Sequence, residues 1–242
     1  MRLENIVLQA RDPQVTGRFW SAALGLVDLA PGSPQDYEGR LWVDDELWLD
    51  VCIEPAAEPP PPGWRLHLDL RGGAQQQQVV ERLTGLGATP VDIGQGEVPW
   101  VVLADPDGNA FCVMEERAAY SDTGPIAALP LDSADPQREA ELYAALTGWV
   151  PAPGVGPVTL RHPSLRGPLL ELCPEPEPKA RQNRTHLDVR PTPGGPDQRA
   201  LVDLALSLGA TLATDDWAKG HPWVVMHDLS GNEFCVLADA GD

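Results

Sequence analysis

Arg65-Leu66-His67-Leu68-Asp69 returns as Arg184-Thr185-His186-Leu187-Asp188, and that return decides how the chain is built. Three other landmarks recur in the same order and at nearly the same offset. Asp12-Pro13-Gln14 returns as Asp135-Pro136-Gln137, and Gly87-Ala88-Thr89 as Gly209-Ala210-Thr211. Pro99-Trp100-Val101-Val102 with Gly108-Asn109-Ala110-Phe111-Cys112-Val113 returns as Pro222-Trp223-Val224-Val225 with Gly231-Asn232-Glu233-Phe234-Cys235-Val236. A repeat of this length predicts two homologous domains, 1–117 and 125–242, joined by a linker at 118–124.

Each domain reads as two similar halves. Leu3–Ala10 has strand length and apolarity; Asp12 suits an N-cap, Pro13 the first helical position, and Gly25 a helix stop. Short strands are expected near Arg40–Val43 and Leu47–Ile53, followed by the loop Pro59–Pro62. The second half repeats the plan. A strand over Trp64–Leu70 precedes a helix at 74–86, whose Gln75–Gln78 end is solvated, and strands follow near Ala88–Ile93, Trp100–Leu103 and Ala110–Met114. Leu201, Leu204, Ala205 and Leu208 mark the buried face of the matching helix in the second domain. The fold class is therefore α+β, with βαβββ modules occurring four times.

The chain has 242 residues, 36 Asp+Glu against 17 Lys+Arg, and a net charge of −19. So acidic a surface offers no broad counter-charge to phosphate backbones or anionic lipid, which argues against nucleic-acid and membrane partners. No apolar run reaches the ~18 residues of a membrane span. With no signal-peptide pattern at the N-terminus, a cytoplasmic location is expected. Cys52, Cys112, Cys173 and Cys235 form no CxxC pair and read as reduced, buried thiols.

Strand alternation separates two faces. Leu66, Leu68 and Leu70 belong under the helices, which turns Arg65, His67 and Asp69 the other way; Arg184, His186 and Asp188 share a face in the same manner. Leu47, Leu49 and Val51 read as core, opposite Trp48, Asp50 and Cys52, and Leu169, Glu171 and Cys173 form the matching row. Phe111, Val113, Phe234 and Val236 read as core, with Cys112, Met114, Cys235 and Leu237 opposite. A concave face mixing indole, carboxylate, imidazole, guanidinium and thiol is a small-molecule pocket, or else a structural row of ion pairs. Trp42, Trp48, Trp100 and Trp223 either clamp a flat ligand or pack at the sheet edge. His162, His221 and His227 fall in loops or at strand ends.

These motifs together resemble the vicinal oxygen chelate superfamily, the glyoxalase I, bleomycin-resistance and extradiol-dioxygenase group, and within it a tandem-domain subgroup of actinobacterial type. Phe19-Trp20-Ser21-Ala22-Ala23-Leu24-Gly25 is similar to its helix signature, and Asp105-Pro106-Asp107-Gly108-Asn109 to its penultimate turn, with Asp228-Leu229-Ser230-Gly231-Asn232 as a looser copy. The resemblance implies tandem glyoxalase-like domains, each of two βαβββ modules, with curved mixed sheets carrying helices on the convex face. It also implies four metal-ligand positions, filled here by Asn5 and Ala128 on the first strand, Asp50 and Glu171 on the fourth, His67 and His186 on the fifth, and Cys112 and Cys235 on the eighth. That set is damaged, so no cofactor is expected. A divalent ion on Asp50, His67 and Cys112, or on Glu171, His186 and Cys235, is the alternative. Pockets in the superfamily also combine halves of different domains, which would join Asn5 and Asp50 to His186 and Cys235, and Ala128 and Glu171 to His67 and Cys112.

Two functions follow. One is a lyase or isomerase acting on a small organic substrate without an obligatory metal, with His67 or His186 as base, Asp69 or Asp188 orienting it, and Trp48, Asp50, Arg65, Cys112, Met114, Glu171, Arg184, Cys235, Trp100 and Trp223 binding the ligand. The other is non-catalytic sequestration of a drug-like molecule, of the bleomycin-resistance type. Either is compatible with a pseudo-dimeric monomer or a homodimer.

Overall fold

The structure, a computed structural model, describes residues 1–29, 35–45, 47–56, 58 and 65–239. The Pro59–Pro62 loop and Trp64 lie outside the described residues.

Four βαβββ modules follow one another. The first is β1 (Arg2–Ala10), α1 (Pro13–Leu24), β2 (Val27–Asp28), β3 (Tyr37–Trp42) and β4 (Trp48–Pro55); the second is β5 (Leu68–Gly73), α2 (Gln76–Gly85), β6 (Thr89–Pro90), β7 (Val101–Ala104) and β8 (Ala110–Glu115). The third is β9 (Ile126–Ser133), α3 (Pro136–Thr147), β10 (Val150–Pro151), β11 (Val158–Arg161) and β12 (Leu169–Pro174); the fourth is β13 (Thr185–Arg190), α4 (Gln198–Ser207), β14 (Thr211–Leu212), β15 (Val224–His227) and β16 (Glu233–Val236). The same local chemistry starts α1 and α3. The carboxylate of Asp12 accepts from the Val15 amide at 3.0 Å and that of Asp135 from Arg138 at 3.2 Å, each followed by proline, whose missing N–H costs a helix nothing at that place. Both helices end on a left-handed glycine, Gly25 at φ 74° and Gly148 at φ 73°.

The modules pair crosswise. One eight-stranded sheet, sheet A, runs β14-β15-β16-β13-β1-β4-β3-β2, joining the first module to the fourth; sheet B runs β10-β11-β12-β9-β5-β8-β7-β6, joining the third to the second. The seams are the antiparallel pairs β1/β13 and β5/β9. Each repeat thus lends one half to each sheet, which is the crossed alternative of the two that the sequence leaves open.

The helices lie between the sheets. α1 packs on β3 and β4 of sheet A while its Trp20 meets Phe111 of β8 in sheet B, ring centroids 5.1 Å apart. Tyr143 of α3, which packs on β11 and β12, reaches Phe234 of β16 at 6.2 Å. Leu49, Val51, Leu66, Leu68, Leu70, Phe111 and Val113 are buried in the largest core and Phe234 and Val236 in a smaller one, as alternation requires. Leu47 departs from the expected pattern. It sits half-buried in the turn before β4, where its amide donates to Asp44 at 2.7 Å. The strand expected from residue 64 begins at Leu68, with Leu66 bridging singly to Leu131. With the apolar faces turned towards each other, the concave faces of the two sheets point outward on opposite sides of the shared core. No helix among the described residues is long and apolar enough to cross a membrane.

Candidate functional site

On the concave face of sheet A, strand register lines up one row of polar groups. Arg40 of β3 stands beside Asp50 of β4, Asp50 beside Asn5 of β1, Asn5 beside Asp188 of β13, and Asp188 beside Cys235 of β16. The next row is Glu38, Cys52, Val7 and His186. Two hollows open here, of about 350 and about 260 Å³, and Glu54, His186, Trp223 and Cys235 form the wall between them. Asn5 and Asp188 line the smaller hollow; Gln9, Asn183 and His221 line the larger.

The Asn5 amide donates to Asp188 Oδ2 at 2.9 Å. Asp188 Oδ1 lies 3.4 Å from His186 Nε2 but makes no aligned hydrogen bond. Burial alone would push the His186 imidazole down; the neighbouring Cys235 sulfur and Asp188 carboxylate outweigh it and hold it well above the usual range. Burial pushes the Cys235 thiol up to about 11, although His186 opposes this. Burial also raises Glu54, against the pull of His186. His221 stacks on Trp223 with centroids 4.6 Å apart and planes 9° from parallel.

The concave face of sheet B carries the same three groups in a different setting. His67 Nε2 is 3.4 Å from Asp69 Oδ1, and Asp69 pairs in register with Cys112. In front of Asp69 and Cys112, Met114, Ala127, Ala128 and Leu169 form a buried apolar cluster with Tyr120, which is 2% exposed, while the His67 side chain keeps 21% exposure. Tyr120 comes from the segment read as a linker: Ala118–Tyr120 is a short 3-10 helix, tied down as the Thr123 hydroxyl donates to the Tyr120 carbonyl at 3.0 Å. Burial, followed by the charges of Glu171 and Asp69, pushes the Tyr120 phenol up.

Of the residues expected to bind or act on a ligand, His186, Asp188, Cys235 and Trp223 line the sheet-A hollows, and the others are engaged elsewhere. Asp50 takes both prongs of Arg40 at 2.8 Å. Trp48 is flanked by the guanidinium groups of Arg40 at 3.5 Å and Arg2 at 4.0 Å. Arg184 is buried against Asp107, in the turn between β7 and β8. Arg65 donates to the Glu177 carbonyl beside a separate open groove that holds neither His-Asp-Cys group. Cys112, Met114 and Trp100 belong to the sheet-B cluster, and Glu171 accepts from the Val155 amide at 3.1 Å. Glu171 is also not the counterpart of Asp50. β12 sets Leu169 beside Ala128 as β4 sets Asp50 beside Asn5, because the register of β12 on β9 is two residues away from the one the paired carboxylates suggested. The hollow adds Glu54, Gln9, Asn183 and His221. Glu54 continues the 48-50-52 alternation and was readable from it; His221, in a loop, had no such signal.

The metal positions implied by the resemblance do not fit an ion. Asp50 is consumed by Arg40, Asn5 is a weak ligand, and sheet B offers Ala128 and Leu169. A different trio does fit. A ring nitrogen of His186, a carboxylate oxygen of Asp188 and the Sγ of Cys235 lie within 4.8 Å of one another, as do those of His67, Asp69 and Cys112. Asp188 Oδ1 and Asp69 Oδ1 are buried without a hydrogen-bond partner, and mixed N, O and S donors suit zinc.

Comparison with solved structures agrees with the fold. Glyoxalase I from Zea mays superposes with a TM-score of 0.64 at 15% identity, covering 98% of this chain and 92% of that one. A proposed dioxygenase from Bacillus subtilis superposes with a TM-score of 0.59 at 17% identity, covering 99% and 86%. A search of curated proteins finds no match. The model of the Glyoxalase-like domain family matches twice, at residues 5–114 and 128–237, so two module pairs, four helices and crossed sheets add up to a plain statement: the chain belongs to the glyoxalase-like family and carries its domain in tandem.

Proposed function

We propose that this is a small-molecule-handling protein of the cytoplasm with one working site, the hollow of sheet A, and that it transforms its ligand there by proton transfer of the lyase or isomerase kind. The observation that carries this reading is the buried His186–Asp188 pair on the wall shared by both hollows. His186 holds and moves the proton at the face of the hollow. Asp188, anchored by the Asn5 amide, orients the imidazole. Trp223 and Cys235 supply the apolar wall that excludes water. A zinc-class ion would be held by His186, Asp188 and Cys235 and would supply Lewis-acid polarisation of a substrate oxygen. Because each sheet already joins both repeats, a monomer suffices to complete the site.

The second reading is binding without turnover, as in sequestration of the bleomycin-resistance type. The flat His221–Trp223 pair and the engagement of Asp50 by Arg40 favour it. One experiment separates the two: a ligand screen by Trp fluorescence, followed by mass spectrometry of the recovered ligand. Conversion that disappears in His186→Asn supports the enzyme. Saturable binding with the ligand recovered unchanged supports sequestration. No ligand-dependent change in Trp223 fluorescence overturns both.

A further inference from the structure

Among the described residues, four buried polar atoms around the sheet-A hollows lack a hydrogen-bond partner; three can only accept, and the fourth, the Tyr37 hydroxyl on the smaller hollow, can do either. Asn5 Oδ1 and Gln9 Oε1 are buried with no hydrogen-bond donor, and Asp188 Oδ1 has only His186 Nε2, 3.4 Å away and out of hydrogen-bond alignment. Asn5 is 9% and Asp188 5% exposed, and both line the smaller hollow; Gln9 lines the larger. Asn5 donates one amide hydrogen to Asp188 Oδ2, and its carbonyl oxygen is left unsatisfied. A buried acceptor without a donor is costly, and a ligand that brings donors removes the cost.

Charge points the same way. Glu54 stands between the hollows, Glu38 and Asp36 line the smaller one, and Glu58 lines the larger, where Glu233 is already paired with Lys179. Among the described lining residues there is no lysine, the one guanidinium, Arg190, is already held by Glu4 and the Ala238 carbonyl, and the His186 imidazole is matched by Asp188 3.4 Å away. The larger hollow adds a flat aromatic wall, His221 stacked on Trp223, with Trp217 also lining it.

We propose that the hollow selects an organic cation with a flat apolar body, its amine or guanidine head against Asn5 and Asp188 and its body against Trp223. The inference rests on the sheet-A hollow being the working site. The acceptors call for donors, the carboxylates for positive charge, and the indole face both stacks on an aromatic ring and attracts a cation.

The test uses the whole protein with two dyes of similar size, proflavine as a flat aromatic cation and fluorescein as a flat aromatic anion, with Zn²⁺ alone as a third arm. Titrations in about 0.3 M salt suppress binding to the acidic surface at large. The expected result is one proflavine per chain, with affinity falling about tenfold or more in Glu54→Gln, Asp188→Asn and Trp223→Ala, and no fluorescein binding. Glu54→Gln keeps the shape of the wall and remains informative if Asp188→Asn fails to fold. Fluorescein binding that Trp223→Ala removes overturns the ligand class and leaves the site standing. Dye binding indifferent to all three substitutions overturns both. Binding of neither dye, or one Zn²⁺ per chain that excludes proflavine, overturns the organic cation.

Discussion

The concave faces of sheets A and B begin with the same equipment, an imidazole 3.4 Å from a carboxylate with a cysteine close by. They end differently. In sheet A the seam strand puts Asn5 beside that carboxylate and two hollows lie in front. In sheet B the same place holds Ala128, its neighbour is Leu169, and Tyr120 caps the cluster. A duplicated motif therefore does not mean a duplicated site. What decides is whether the surrounding residues leave room and unsatisfied polar atoms, and that is settled by side chains outside the motif.

Three experiments break or sharpen this contrast. The largest effect is expected from the histidines. His186→Asn should lower turnover of a ligand found by screening about 100-fold or more, whereas His67→Asn should leave it unchanged, read as kcat/KM with each variant's far-UV spectrum as control. Equal losses would mean that both faces work. Next is the cap. Tyr120→Ala should cost about 3–5 kcal/mol in urea unfolding and speed native-state labelling of Cys112 while leaving Cys235 as slow as before. Unchanged labelling of Cys112 would mean that the ring does not close this face.

The smallest effect concerns the turns beneath the two faces. The first is tied by Arg11 and Arg184 to Asp107; the second is held by Glu139 of α3, which accepts from the Ser230 hydroxyl at 2.6 Å and the Leu229 amide at 3.1 Å. Burial, reinforced by Asp228, pushes the Glu139 carboxyl from an ordinary 4.5 up to about 7. Between those values the folded protein keeps a proton that the unfolded chain has shed, so stability falls as pH rises from about 5 through 7. Glu139→Gln should flatten that decline and add about 2 kcal/mol at pH 8, measured by thermal unfolding across pH. A decline equally steep in the variant would assign it to other groups.

Much of the architecture was readable because it follows from local rules. The Asp-Pro caps, the alternation of Leu66, Leu68 and Leu70, and the recurrence of His-x-Asp all act over a few residues. The crossing of modules was not readable, since either pairing buries the same faces. Nor were the partners that neutralise Arg184 and Asp50, because Asp107 and Arg40 meet them only through tertiary contact. The Asp50–Glu171 equivalence failed for a related reason: two carboxylates two register steps apart look alike until the neighbouring strand is known. Tyr120 gives no signal in the sequence because it sits in a connector, and its ring fills a space that only the folded sheet defines.

The β1/β13 seam also governs how the polypeptide must assemble. Asn5 finds Asp188 only after most of the chain has been synthesised, so β1 waits with an unpaired backbone rim until the last quarter arrives. Each half of a molecule cut at the midpoint would carry two such open rims, at β1 and β5 or at β9 and β13. Holding both repeats in one chain makes that pairing intramolecular and leaves the two outward faces different, one with hollows in front of its histidine and the other packed under Tyr120.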